Sequence, residues 1–266
     1  MRCIFCKNPS DNSVSVEHII PESLGNISHI LPKGWVCDTC NNYIAREVEK
    51  PILDSPYGKT SRFEMAVANK RGRVPAVKGL HAQSRTILDV TIWPDENALI
   101  FDSPSPQDKA RFAESTERFK QHTLYLPTAS IPPNDRITAR FVGKIALEIL
   151  AYKAMAIPGA NEEIVGKPEL DELRQYVRQG QPKIEWPIHI RKIYPADFQF
   201  PSLRHGPHQV LHEWMILPVE SEYYAVIAIF GIEYTINLGG PELHGFHRWL
   251  ETNGPRSPLS DAQSSD

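Results

Sequence analysis

No stretch of this chain approaches the roughly 18 to 20 consecutive apolar residues that a membrane-spanning helix needs. Its first residues, MRCIFCKNPSDNS, also lack the apolar core of a secretory signal. These two absences make the cytoplasm the expected compartment and exclude a membrane as partner. Charge of either sign has little excess: the formal net is −3, which argues neither for nor against a polyanionic partner. No internal repeat is visible. The glycines of LGGPELHG follow a strand-like run without the spacing of a phosphate cradle. His205, His208, His212, His244 and His247 have no acids or cysteines at matching intervals, so they read as surface or hydrogen-bonded core residues. With 41% hydrophobic residues over 266 positions, the chain suffices for one large domain or two modest ones.

Cysteine is scarce too, but its few copies are ordered. The four cysteines form two identical pairs, Cys3/Cys6 and Cys37/Cys40, each with two residues between the sulfurs. In a reducing compartment such pairs read as metal ligands rather than disulfides. Four thiolates match the tetrahedral preference of structural zinc, and a closed site of that kind leaves no open position for chemistry.

The small net charge conceals an uneven distribution. Residues 46–85 carry nine lysines and arginines against four acids, whereas everything after residue 85 holds 17 bases and 24 acids. A basic segment directly behind the cysteine-rich one is what a phosphate-contacting surface requires. Charge alone fits a solvated loop face equally well. Arg46, Lys50, Lys70, Arg71 and Arg73 are the residues expected to meet nucleic acid.

The fold class expected is α+β. Residues 1–54 read as strand, loop, strand, helix: SVSVEHII is β-branched and alternating, WVC is a short second strand, and DTCNNYIAREVEKPIL has Cys40, Ile44 and Val48 at helical spacing. Residues 55–85 read as irregular and basic. TILDVTIWPDENALIFDS reads as a hairpin turning at Asp95-Glu96-Asn97, and Ser105-Pro106 opens a helix. NDRITARFVGKIALEILAYKAMA is apolar on more than one side and is the expected core helix. KPELDELRQYVRQG is a helix ended by Gly180. WPIHIRKIY, QVLHEWMILPVE and YYAVIAIFGIEYTINL are the expected strands of the last third. The division expected is 1–54, then 55–250 as a basic segment plus an α+β region, then 251–266 as a polar disordered tail.

One short stretch concentrates the chemistry. VEHIIPESLGN places Glu17 directly before His18, between the two cysteine pairs. Neighbours in a strand point to opposite faces, so both could serve one site only where the strand ends or bends, and Pro21 and Gly25 are near enough to bend it. An imidazole is the side chain best suited to activating water near neutral pH.

Taken together, CIFC, EHIIP, LG and CDTCNN resemble the zinc-bearing members of the HNH nuclease family, over roughly residues 3 to 53. The resemblance implies a ββα-metal fold that hydrolyses a phosphodiester with one divalent ion, magnesium or manganese. By position it implies His18 as general base, Glu17 as the acidic metal ligand and Asn41 as a further ligand. The family's middle asparagine has no counterpart in ILPKGW; Asn26 or His29 would instead brace the loop beneath His18. Asn42 could share the role of Asn41, and Glu49 reads as a surface acid or as a residue approaching the metal. The function expected is endonuclease, with DNA the favoured partner and a homodimer as one assembly. The alternative is a non-catalytic zinc module that binds nucleic acid or protein.

Overall fold

The computed structural model describes residues 1–69, 71–93, 96, 98–128, 131–181, 183, 185–195 and 212–262, the last two by backbone alone. It is a mixed α+β chain whose sheets are antiparallel. Two compact units are present: residues 1–22, 26–52 and 131–266 form one, and residues 23–25 and 53–130 the other. The amino-terminal segment is thus one part of a unit completed by the last half of the chain.

In the first unit, β1 (Glu17–His18) pairs antiparallel with β2 (Ile30–Leu31), Glu17 opposite Leu31 and His18 opposite Ile30. Helix α1 (Asp38–Ile44) follows and continues through a π-helical stretch, Ala45–Glu49, into α2 (Lys50–Asp54). The strands are shorter than the sequence suggests, and the second lies before WVC. The Trp35 carbonyl instead accepts from the Ile4 amide at 2.9 Å. Cys37 is spent capping α1, where its sulfur accepts from the Cys40 amide.

The second unit begins with α3 (Pro56–Glu64) and holds a sheet of order β5-β4-β3-β6: β3 (Val77–His81), β4 (Thr86–Trp93), β5 (Ala98–Asp102) and β6 (Leu124–Tyr125), with α4 (Pro106–Arg118) between the last two. Residues 55–85 are therefore only partly irregular, since α3 and β3 stand within them. SPYG is a helix start: the Ser55 side chain accepts from the Gly58 amide and Pro56 fills the first turn. Phe63, Val74, Val77 and Val90 form this unit's core. The expected hairpin is present as β4 and β5, while Asp95 and Asn97 of its turn lie outside the described residues.

The first unit resumes with α5 (Arg136–Ala154), capped by Asp135 and buried almost all round, as its apolar pattern requires. Then come α6 (Ala160–Gly166) and α7 (Asp171–Gln179), which ends on Gly180 at φ 61°. A Cβ on Gly143 would stand 3.0 Å from side-chain carbons of Leu173 and Val177, so this glycine sets the close approach of α5 to α7.

A sheet of order β7-β10-β9-β8 completes the unit: β7 (His189–Lys192), β8 (His212–Val219), β9 (Glu222–Ile229) and β10 (Ile232–Asn237). The run YYAVIAIFGIEYTINL is two strands rather than one, because Phe230 and Gly231 both take positive φ, 52° and 77°, and reverse the chain. Helix α8 (His244–Asn253) and α9 (Pro258–Ala262) follow, with Phe246 and Leu259 buried against β8 and β9. A short helix with Leu259 buried thus stands at 258–262, within the stretch expected to be a disordered tail.

Polar side chains of the carboxy-terminal half bind the backbone of the amino-terminal segment. Arg174, 2% exposed, donates to the Ile4 carbonyl at 2.8 Å, and also to the carbonyls of Ile164 and Lys167. Asn161 exchanges two hydrogen bonds with the backbone of Arg2, at 2.8 and 3.0 Å. Arg140 reaches the Tyr43 hydroxyl and the last carbonyls of α7.

A buried carbonyl left without a donor costs about 1–3 kcal/mol. Arg174→Met strands three of them and is expected to destabilise this unit by about 3 kcal/mol or more in urea unfolding followed by circular dichroism. A loss below about 1 kcal/mol, the net worth of one ordinary hydrogen bond, would show that the segment holds itself together.

Candidate active site

The four cysteines form one cluster, with all ligand sulfurs within 4.8 Å of one another. Among the described residues this is the only such group of histidines, cysteines and acids. Cys6 and Cys37 sulfurs lie 3.7 Å apart. Tetrahedral zinc with bonds of about 2.3 Å separates its sulfurs by about 3.8 Å, whereas a disulfide needs about 2.05 Å. The first pair sits in a tight knuckle: the Lys7 amide bonds the Cys3 carbonyl, and Lys7 takes φ 61°.

The thiols interact as a set awaiting a cation. A hydrogen bond from Cys40 lowers the Cys3 thiol to about 5. Burial, aided by the negative charge on Cys3, pushes Cys6 up to about 11. Cys40 is raised by its bond to Cys3 and then by burial. One thiolate forms readily and the next is opposed, which a divalent ion among the sulfurs would reverse. The residues fit zinc.

Beyond β1 the chain turns through Glu22–Leu24 and Gly25, at φ 92°. Asn26, 2% exposed, staples this loop. Its amide nitrogen donates to the Ile20 and His29 carbonyls at 2.8 and 2.9 Å, and its side-chain oxygen accepts from the His29 amide at 2.9 Å. The Asn26 carbonyl faces His18 Nδ1 at 3.2 Å. A carbonyl can only accept, so Nδ1 carries the proton and Nε2 of the neutral ring is the free base. Nε2 points toward Glu22, 3.8 Å from its carboxylate, and the ring is 21% exposed.

Glu17 goes the other way. It is 6% exposed, and its carboxylate lies 2.8 Å from the ammonium of Lys144 on α5, which is fully buried. The same ammonium meets Glu49 at 2.8 Å and Glu148 at 2.9 Å, and donates to the carbonyls of His18 at 2.8 Å and Ile19 at 3.1 Å. Burial opposes the charge on Lys144, but Glu148, Glu17 and Glu49 more than compensate and hold its pKa well above the usual lysine range. Burial raises the carboxyls of Glu17 and Glu148 despite the ammonium. Three carboxylates around one ammonium leave an excess of negative charge, and a proton held among them relieves it.

These positions revise the expected metal ligands. A divalent ion shared by Glu17 and Asn41 does not fit the residues as they stand, because Glu17 is engaged by Lys144 away from solvent. Asn41 spends its amide nitrogen on the Val16 carbonyl at 3.1 Å. Asn42 is exposed on α1. Glu49 is no surface acid, since the π-helical stretch that ends at it delivers its carboxylate to Lys144. His29 packs its ring edge-on to Trp214, with centroids 4.3 Å apart.

Lys144 and Glu148 had no part in the expected site, although the sequence holds a signal for them. They are the charged pair four residues apart inside the apolar run FVGKIALEIL.

Of the basic residues, Arg46 is 67% exposed and pairs with Glu47 at 2.6 Å, in the first unit with Lys50. In the second unit, the Asn69 side chain accepts from the amides of Arg71 and Arg73, forming a turn that presents both side chains to solvent. Lys70 lies outside the described residues. Arg62, part of the same charge excess, is buried and serves the Gly58 and Leu53 carbonyls.

A cysteine box, a two-strand ribbon with a histidine at its end and a helix behind it are the parts of a ββα-metal unit. Residues 3–56 match the family model described as HNH endonuclease, so this segment is an HNH-type unit. Comparison of the chain with curated proteins and with solved structures gave no match.

Cys37→Ser removes a sulfur ligand while leaving a side-chain oxygen able to cap α1. It is expected to drop zinc content, measured by atomic emission on purified protein, from one equivalent to near none and to lower the melting temperature. A full zinc equivalent in this variant would contradict the clamp.

Proposed function

We propose that the protein is an endonuclease that hydrolyses nucleic-acid phosphodiester bonds, with DNA the favoured substrate and His18 the general base. The observation that carries this reading is the geometry of His18: Nδ1 is held by the Asn26 carbonyl, which leaves Nε2 basic on a ring that reaches solvent. In the proposed step a water oxygen bonds to phosphorus and its proton passes to Nε2. One ester P–O bond breaks, and the departing oxygen takes a proton from solvent. Glu22 is placed to stabilise the imidazolium that forms. General-base assistance of this kind contributes roughly 10²- to 10⁴-fold. The HNH match supports a nuclease, and the exposed Arg71 and Arg73 support a polyanionic substrate.

Magnesium or manganese is the cofactor that the family implies, and when bound it supplies positive charge to the phosphate. Zinc in the cysteine box has the separate task of holding the scaffold. Engagement of Glu17 by Lys144 is the one feature that favours the second reading, a zinc module that binds without cutting.

The deciding experiment incubates the parent and His18→Ala with plasmid, single-stranded DNA and RNA, each with magnesium, manganese or chelator. The parent is expected to cut with added metal, and His18→Ala to lose at least about 10²-fold in rate with zinc content intact. A variant that cuts as well as the parent would remove His18 from its role, and an inactive parent would favour the binding module. Replacing Lys70, Arg71 and Arg73 together by alanine is expected to weaken DNA binding and to reduce the slope of log affinity against log salt by up to about 3. An unchanged slope returns this turn to an ordinary solvated loop.

A further inference from the structure

We propose that Lys144 is a positioning residue of the nuclease site, its ammonium occupying the oxygen cage of Glu17, Glu49 and Glu148, so that Glu17 anchors the strand end that presents His18 instead of ligating a divalent ion. The proposal deepens the nuclease reading and rests on it for the meaning of His18.

Five oxygens surround the Lys144 nitrogen at 2.8 to 3.1 Å: three carboxylate oxygens and the carbonyls of His18 and Ile19. Those are N–H···O lengths, far longer than the roughly 2.1 Å that magnesium demands. The cage therefore has the dimensions of an ammonium site. It is also largely closed: Lys144 and Glu148 are 0% exposed, Glu17 is 6% exposed and the Glu49 side chain 14%, which leaves little room for a hydrated ion and a phosphate at the Glu17 carboxylate.

The two carbonyls give the ammonium its hold on the site. The amide of Ile19 bonds across the ribbon to the His29 carbonyl, while Lys144 takes the carbonyls of His18 and Ile19. The backbone of the histidine is thereby fixed on one side by α5, and its ring on the other by the Asn26 carbonyl. Lys144 lies 126 positions from His18, well outside the HNH-matched residues. The catalytic strand is set by a helix that the family segment does not contain.

Three measurements test this, two of them independent of cutting. The first titrates parent and Glu17→Gln with Mn²⁺ by electron paramagnetic resonance. The isotherms are expected to agree within tenfold, whereas a tenfold or greater loss of affinity, roughly the least expected even for a residue behind a ligand, would make Glu17 a metal ligand and overturn the proposal. The second reads the ring nitrogens of His18 by ¹⁵N-edited NMR in the parent, Lys144→Arg and Lys144→Met. The parent is expected to hold the Nδ1–H tautomer, Lys144→Met to show a mixture, and Lys144→Arg to recover most of the parent signal. A tautomer unchanged in folded, zinc-loaded Lys144→Met would overturn the proposal.

The third compares steady-state cutting. In Lys144→Met kcat is expected to fall at least about tenfold with KM for DNA unchanged, since positioning acts on the chemical step. A parental kcat in that variant would count against the positioning role. If Lys144→Met fails to fold, the Mn²⁺ comparison on Glu17→Gln decides alone. An inactive parent would defeat the nuclease reading while the first two measurements still judge the assignment of Lys144.

Discussion

The carbonyl groups of the HNH-type segment dominate its architecture, because a ribbon of two-residue strands cannot satisfy its own backbone. Long cationic and amide side chains from the second half of the chain make up the shortfall. Arg174 serves Ile4 beside the first cysteine pair, Asn161 serves Arg2, and Lys144 serves His18 and Ile19. Each bond is modest in net terms, but each carbonyl would cost about 1–3 kcal/mol if buried without a donor. The penalty for omission, more than any gain on formation, ties residues 1–22 and 26–52 into a unit with α5, α6 and α7.

Zinc and the buried ammonium solve different parts of one problem. About fifty residues carry too little apolar side chain to hold a reactive group steadily. The cysteine box constrains the loops that lead into β1 and α1, while the carbonyls of His18 and Ile19 at the end of β1 are taken by Lys144. Lys144 fixes that end. A buried ion pair adds little stability over a well-packed apolar replacement, whereas losing one partner costs roughly 3–5 kcal/mol. Its value here is geometric: an ammonium with several fixed acceptors permits few arrangements of the backbone around it.

What could be read from the sequence follows from how local each signal is. The cysteine pairs, Gly180 at the end of α7 and Ser105-Pro106 at the head of α4 are short-range features, and each stands where the sequence places it. Asn26 likewise lies within VEHIIPESLGN, and its side chain bonds Ile20 and His29 in the loop beyond His18. The strands of the ribbon were not legible, because β-branched runs predict propensity while the actual pairing is set by loop closure and by Trp35 answering Ile4 across the knuckle. The partner of Glu49 is not local either: the π-helical stretch ends at it and its carboxylate meets Lys144. The environment of Glu17 depends on a residue more than a hundred positions away, and no local pattern contains that.

The acid–histidine doublet takes on a different physical sense in this setting. Two adjoining side chains on a strand leave opposite faces, so a site that uses both on one ion has to break the strand between them. Here β1 stays paired through both residues, Glu17 against Leu31 and His18 against Ile30. The acid accordingly turns inward to a buried ammonium and the imidazole outward to solvent. Adjacency still serves chemistry, since whatever fixes the carboxylate fixes the histidine backbone one bond away. The doublet then joins a buried anchor to a solvent-facing imidazole.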